Sequence, residues 1–168
     1  MGLLVKAYAD LQLVGTAADQ DEHEEKFDWK STIYIYGPTL DLWPMHREGI
    51  ELVRGGVYRY GLEHRFRAGS YSGYNFWREQ LSLCALGVSP NTVWDDFEAW
   101  KDRPFTYLIN FSDCEGYIAG KVAQKLFDNF EQHKELSRAW GNEYWQQSYD
   151  DWHKAFSLAK INGLVDFS

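Results

Sequence analysis

The chain has 168 residues, of which 45% are hydrophobic and 17% aromatic. This composition is enough for one hydrophobic core without disulfides or metal, and it excludes a mostly disordered protein. The 17 basic and 25 acidic residues give a net charge of −8, which argues against a sequence-independent grip on nucleic acid. No apolar run approaches the ~20 residues that span a bilayer. With only two cysteines, the chain is expected to be a cytoplasmic single domain, residues 1–168, with free thiols and no membrane partner.

The first third of the chain predicts short strands and an acidic loop. Leu3 to Ala9 and Ser31 to Tyr36 are typical of strands. Between them, an acidic loop is expected at about residues 16–28. Its negative charges repel one another, so a solvated loop is favoured over a docking site for a basic partner.

The middle of the chain predicts a hairpin. Gly55 and Gly56 are expected to form the turn between residues 50–54 and a long strand over residues 57–67. Apolar and polar side chains alternate along that strand, which places His64 on the apolar face with Phe66. A hydrogen-bonded core histidine is favoured over a catalytic one.

The second half of the chain alternates between predicted helices and strands. A turn-rich stretch at residues 68–73 precedes a helix over 74–86, and a short surface helix is expected within 90–103. Residues 105–111 are predicted to form a central strand, and Ser112 with Glu115 matches a capping box that would begin the next helix. A last helix at about 142–160 and an edge strand at 164–167 complete an α+β fold. We expect a mainly antiparallel sheet of about five or six strands, packed against two long and one or two short helices.

Two turns, residues 67–77 and 109–116, each follow a predicted strand and precede a predicted helix. If the strands are parallel neighbours, both turns lie at one edge of the sheet, a common location for ligand sites. A small-ligand site without chemistry would use Arg78, Tyr71 and Tyr74 there. The full candidate set is Ser70, Tyr71, Ser72, Tyr74, Asn75, Arg78, Asn110, Ser112, Asp113, Cys114 and Glu115.

Cys114 is the candidate nucleophile in this set. In the first turn of a helix it would feel the positive end of the helix dipole, which favours the thiolate, whereas Asp113 and Glu115 oppose that effect. A thiol hydrolase would use His64 as the base, with Asn110 or Asp113 orienting the histidine. Asp113-Cys114-Glu115-Gly116 resembles the Asp-Cys-Ser-Gly nucleophile turn of bacterial cell-wall cysteine peptidases, which implies a cysteine-dependent hydrolase as the alternative function.

A second resemblance covers most of the chain from Gly49 onward. The segments Gly69-Ser70-Tyr71-Ser72-Gly73-Tyr74-Asn75 and Asn110-Phe111-Ser112-Asp113-Cys114-Glu115-Gly116 resemble an uncharacterised family of bacterial single-domain proteins. The resemblance implies one folded unit and a bacterial origin, and it implies no activity.

No nucleotide-binding or metal-binding motif is present, so no cofactor and no metal site are predicted. The main hypothesis is a non-catalytic binding protein whose acidic, aromatic-rich surface meets a partner, for example an immunity-type inhibitor of a basic toxin or nuclease. The sequence predicts neither the ligand nor the oligomeric state.

Overall fold

Seven strands and seven α-helices make up the part of the chain that the structure, a computed structural model, describes: residues 2–19, 27–36, 46 and 52–168. The strands are β1 Gly2–Ala9, β2 Gln12–Thr16, β3 Thr32–Tyr34, β4 Gly56–Arg59, β5 Leu62–Ser70, β6 Gly116–Ala119 and β7 Leu164–Phe167. The helices are α1 Tyr71–Leu86, α2 Pro90–Asp95, α3 Phe97–Trp100, α4 Thr106–Ile109, α5 Gly120–Gln132, α6 Lys134–Trp140 and α7 Glu143–Ala159.

The α+β class is confirmed, but the strands form two antiparallel sheets instead of one. A four-stranded sheet has the order β5-β1-β7-β6, and a three-stranded sheet has the order β2-β4-β3. The predicted helix lengths also differ, because α1, α5 and α7 are long and the other four described helices are short.

One face of the four-stranded sheet is covered by the long helices. Val5, Ala7, Val165 and Ile118 point to this side, and each of these side chains is fully buried. Successive strand residues point to opposite faces, so Lys6 and Asp166 are placed on the other side. The apolar face packs mainly on aromatic side chains of α7, which confirms the predicted periodicity of the last helix: Trp145, Tyr149, Trp152, Phe156 and Ala159 are all buried.

The three-stranded sheet packs against the opposite face of the larger sheet. Tyr58 of β4 and Ile35, which follows β3, join Tyr8, Tyr117 and Leu164 in a second, smaller apolar cluster. The Tyr117 hydroxyl also donates a 3.4 Å hydrogen bond to the Tyr34 carbonyl. Contact between the sheets is therefore made at one end of the larger sheet.

The long strand predicted over residues 57–67 is wrong, because the chain passes from one sheet to the other within it. β4 ends at Arg59, and β5 begins at Leu62. At the crossing, the Tyr60 amide donates to the Ser31 carbonyl, while the Gly61 amide donates to the Ala9 carbonyl. The alternation continues across the break, so periodicity alone did not reveal it. Gly55 does turn with a positive φ of 72°, although residues 52–54 before it form no strand and residues 50–51 lie outside the described part.

The central strand predicted over residues 105–111 is also wrong. Residues 106–109 form the single turn α4, with the Phe105 carbonyl accepting hydrogen bonds from Leu108 and Ile109. The Phe105 amide, in turn, donates to the Asn129 side chain on α5. A short apolar run is compatible with a buried strand or a buried helix turn, so the apolar pattern alone does not distinguish the two.

The helix predicted to begin at Ser112 does not begin there. Ser112 Oγ accepts hydrogen bonds from the Cys114 and Glu115 amides, as a capping serine would, but strand β6 comes next and α5 begins only at Gly120. Ser112 therefore closes a local turn. Cys114 is not in the first turn of a helix, so the predicted stabilisation of its thiolate by a helix dipole is removed.

The ends of the remaining elements are close to those predicted. α1 begins directly after β5, three residues earlier than predicted, with Ser70 Oγ accepting a 3.0 Å hydrogen bond from Gly73. Residues 164–167 do form a strand, but β7 lies between β1 and β6 and is not an edge strand. Most of the predicted acidic loop, residues 20–26, lies outside the described residues.

Candidate functional site

The two turns predicted to carry the site do meet in the structure. The Asn75 side chain, one turn into α1, donates a 2.8 Å hydrogen bond to the Asp113 carboxylate in the second turn. The parallel strands assumed for their meeting do not exist, because β5 is followed by α1 whereas the second turn comes after α4. Side-chain contacts between α1 and this turn bring them together instead.

Arg78 holds this junction closed. Its guanidinium donates a 2.5 Å hydrogen bond to the Phe111 carbonyl and a second hydrogen bond to the Asn75 side chain. The same group lies 5.2 Å from the ring centres of both Tyr74 and Trp94. Only 6% of Arg78 is exposed, so its hydrogen bonds and stacking contacts are used within the fold. This geometry is typical of a structural clamp.

The other predicted ligand residues on this side also take part in the fold. Tyr74 is fully buried, and burial raises the pKa of its hydroxyl to about 12. Tyr71 packs against the main core, and Asn110 ends α4 with its amide donating to the Thr106 carbonyl. The side of the junction formed by α1 thus leaves little polar surface for a ligand.

A large cleft opens on the other side of the second turn, between the two sheets. Its volume is about 760 Å³, which is within the range of small-molecule and side-chain binding sites. The second turn contributes two of the predicted residues, Cys114 and Glu115, to its lining. We call this space the inter-sheet cleft; it is lined by Lys6, Tyr8, Trp29, Thr32, Ile33, Tyr34, Tyr36, Cys114, Glu115, Gly116, Tyr117, Asp166, Phe167 and Ser168.

A carboxylate and an ammonium group lie at the floor of the inter-sheet cleft. Lys6 of β1 and Asp166 of β7 are directly opposite one another in the antiparallel register. Their Nζ and Oδ2 atoms are 3.9 Å apart, and the two side chains are 25% and 19% exposed. Burial raises the pKa of the Asp166 carboxyl to about 6, although Lys6 acts in the opposite direction. The attraction of Lys6 therefore does not fully offset the cost of burying the Asp166 charge.

Aromatic side chains form much of the cleft wall. Tyr34 and Tyr36 meet edge to face, with ring centres 4.8 Å apart, and Tyr36 is 60% exposed. Trp29 is also exposed, and its ring and the Phe27 ring meet edge to face. Burial, with the negative charges of Glu63 and Asp166, raises the pKa of the Tyr8 hydroxyl. Aromatic rings around a carboxylate suit a cationic or hydrogen-bonding ligand.

The structure separates the proposed nucleophile from its proposed base. In the sheet register, His64 on β5 pairs with Ala7 on β1, and Ala7 pairs with Val165 on β7. Val165 in turn pairs with Ile118 on β6. Three strand spacings of ~4.8 Å place β6 about 14 Å from His64. The imidazole of His64 lies on the helix-covered face, with Nε2 3.4 Å from the Asp151 carboxylate of α7.

Cys114 has different neighbours from His64. Its thiol is exposed and lies 3.5 Å from the Ser112 hydroxyl. Asp113, proposed to orient the histidine, bonds to Asn75 instead. Among the described residues that line the inter-sheet cleft, none is a histidine. In the part of the chain that the structure describes, the thiol is reachable and no histidine lies beside it.

Sequence reasoning missed the floor and walls of the inter-sheet cleft. Lys6 is the single charge in the apolar stretch of β1, and Asp166 is the single charge in β7. An isolated charge within each of two strands was the available signal, but their pairing depends on a contact between the two ends of the chain. The tyrosines at positions 34 and 36 were assigned to a strand without a ligand role.

The described residues contain neither a cluster of metal ligands nor a helix that could span a membrane. Within the described residues, no three His, Cys, Asp or Glu side chains are grouped so as to hold a metal ion. No helix in that part of the chain combines the length and apolar character that crossing a membrane requires.

Comparison with known protein families, with curated proteins and with solved structures gives no match to this chain. The resemblance to a bacterial single-domain family stays a prediction.

Proposed function

We propose that this chain is a non-catalytic cytoplasmic binding protein that receives a basic protein partner in the inter-sheet cleft. The observation that carries the proposal is an open space of about 760 Å³ with exposed aromatic walls above an incompletely compensated carboxylate. Tyrosine and tryptophan side chains provide much of the binding energy at protein interfaces. A charge of −8 over the chain would accelerate the approach of a basic partner. An immunity-type inhibitor of a basic toxin or nuclease fits this description.

Fluorescence anisotropy with a labelled arginine-rich decapeptide tests the proposal. Tyr36→Ala removes one exposed wall of the cleft without changing charge, and we expect it to weaken peptide binding at least fivefold. Tyr144→Ala is the matched control, because Tyr144 is also 60% exposed and lies on α7 outside the cleft lining. That control should change binding less than twofold. Equal effects of the two variants would mean that the peptide responds to net charge alone, and the proposal would fail.

A cysteine-dependent hydrolase is the second candidate, favoured by the exposed position of Cys114 in the cleft. A thiol needs a base within about one hydrogen bond or one water to act as a nucleophile. His64 lies about three strand spacings from β6, and its imidazole is on the opposite face of the sheet. The geometry therefore supports binding better than hydrolysis.

A further inference from the structure

The carboxylate of Asp166 has unused hydrogen-bonding capacity. Its contact with Lys6 spans 3.9 Å, which is too long for a hydrogen bond. Among the described residues, no group donates a hydrogen bond to either of its oxygens. An ionised carboxylate has about four acceptor positions, and a mostly buried one ordinarily fills several of them. Asp166 lines the inter-sheet cleft, so a ligand there can supply the missing donors.

The surroundings of Asp166 favour a planar cation over a compact one. Trp29, Tyr34 and Tyr36 present aromatic rings along the same cleft. A guanidinium group stacks on aromatic faces while its N–H groups form a two-pronged contact with a carboxylate. An ammonium group is more strongly hydrated and has no planar face to stack. The cleft volume of about 760 Å³ also leaves room for the aliphatic part of the side chain and for residues that flank it.

Lys6 does not close this position to a cation. Its side chain is 25% exposed and its stem is flexible, so its ammonium group can move toward solvent when another donor reaches Asp166. Glu115 at the second turn is exposed and adds a second carboxylate to the lining. Among the described residues, the charged side chains that line the cleft are therefore two acids, Glu115 and Asp166, and one base, Lys6.

Resting on the proposed function, we infer that the floor of the inter-sheet cleft binds the guanidinium group of an arginine side chain from the basic partner, through Asp166 and the aromatic wall formed by Trp29, Tyr34 and Tyr36.

Titration of the ¹⁵N-labelled protein tests this inference with three small probes: N-acetyl-arginine amide, its lysine equivalent and its citrulline equivalent. Citrulline has nearly the shape of arginine without the charge. We expect saturable shifts of the Asp166 and Tyr117 backbone amide signals with arginine, and binding at least fivefold weaker with the other two probes. Equal binding of lysine would overturn the preference for a guanidinium group, and equal binding of citrulline would overturn the role of charge.

Asp166→Asn should weaken arginine binding at least tenfold, because it removes a charge-assisted contact. Asp150→Asn is the matched control, since it removes the same charge from an exposed position on α7, and it should change binding less than twofold. Equal effects of the two variants would overturn the inference.

The wild-type protein gives an independent readout if Asp166→Asn disturbs the fold. With the Asp166 pKa at about 6, arginine binding should weaken about tenfold between pH 7 and pH 5 as the carboxylate takes up a proton. This response should persist in Glu115→Gln, which removes the second side-chain carboxylate among the described residues of the cleft lining. An arginine affinity that does not change between pH 7 and pH 5 would contradict binding at the Asp166 carboxylate.

The inference and the proposed function can fail separately. If the arginine probe gives no saturable shifts but the decapeptide still depends on Tyr36, the cleft binds a basic partner without a guanidinium site at Asp166. If decapeptide binding does not depend on Tyr36, the proposed function itself fails.

Discussion

The two faces of the four-stranded sheet share a backbone but differ in how completely their side chains are satisfied. Val165 and Phe167 point to the helices and are at most 1% exposed, whereas Asp166 between them points to the inter-sheet cleft. On the helix face, neighbouring rings meet at ordinary packing distances, as in the 5.4 Å contact of Trp152 with Phe167. On the cleft face, the charged pair of Lys6 and Asp166 is 3.9 Å apart.

This difference separates the part of the sheet that stabilises the fold from the part that is open to a ligand. Packed apolar side chains lower the free energy of the folded state through burial. A mostly buried carboxylate with few donors raises it. A protein that retains such a group in the middle of a sheet has a local conflict of the kind that is common at binding sites.

The largest effect is expected on the helix face. Trp152→Ala removes a side chain that is 1% exposed and contacts the rings of Tyr74, Trp77 and Phe167. We expect the free energy of unfolding, measured by urea denaturation, to fall by about 3–5 kcal/mol. Trp29→Ala in the cleft wall, where the side chain is 45% exposed, should cost less than about 1 kcal/mol. Similar losses in both variants would remove the distinction between the two faces.

Arg78 is expected to behave as part of the packed side of the molecule. Arg78→Met keeps much of the aliphatic volume but removes the donors to the Phe111 carbonyl and to Asn75. The free energy of unfolding should fall by about 2–4 kcal/mol, because buried acceptors lose a charged partner. Arg67→Met, at an exposed position of β5, is the control and should stay within about 0.5 kcal/mol. Unchanged stability in Arg78→Met would instead support its predicted role in ligand binding.

Replacing Asp166 is expected to raise the free energy of unfolding, whereas replacing Trp152 or Arg78 lowers it. Burial raises the pKa of its carboxyl to about 6 from an ordinary value of 3.8, so the folded state holds a proton that the unfolded state releases between about pH 4 and pH 6. Stability from this group is therefore present at low pH and is lost as the pH rises through that window. Asp166→Asn should raise the free energy of unfolding at pH 7 on the order of 2 kcal/mol.

The stabilisation by Asp166→Asn should largely vanish near pH 4, where the wild-type carboxyl is protonated in the folded state. The difference between variant and wild type is the quantity to compare at each pH. His46 also titrates here, since burial lowers its pKa to about 4, but its contribution is present in both proteins and cancels. A stability difference that does not change between pH 4 and pH 7 would mean that burial does not disfavour the Asp166 carboxylate.

Sequence patterns predicted the helix face well because its main elements follow from the spacing of apolar residues that are close together in the sequence. The aromatic spacing of residues 145–159 gave α7, and the apolar stretch at residues 3–9 gave β1. Ser112 was predicted to accept hydrogen bonds as a helix cap, and Ser70 was placed in a turn before a helix. The element after each turn depends on distant partners, so Ser70 begins a helix whereas Ser112 precedes a strand.

The cleft was largely beyond sequence reasoning because its residues come from distant parts of the chain. Lys6 and Asp166 are opposite one another only because β7 returns to pair with β1. The division of residues 57–67 between two sheets was hidden by an alternation of apolar and polar side chains that both strands share. Cys114 and Glu115 were identified as candidates, but for a helix end that does not exist.

The smallest effect of folding is expected on the alkylation rate of Cys114. This rate distinguishes a cleft that only binds a ligand from one in which Cys114 is a nucleophile. In a Cys84→Ala background, iodoacetamide should alkylate Cys114 of the folded protein at pH 7 within about threefold of the rate in the urea-unfolded chain. The thiol is exposed, its neighbour is the Ser112 hydroxyl, and no described residue of the cleft lining is a histidine, so we expect no activation of the thiol. Cys84 in a Cys114→Ala background should react much more slowly, because burial raises its pKa and shields its sulfur. A folded-state rate for Cys114 tens of times above the unfolded rate would contradict the binding proposal and favour a thiol hydrolase, since exposure alone cannot make a thiol faster than it is in the open chain.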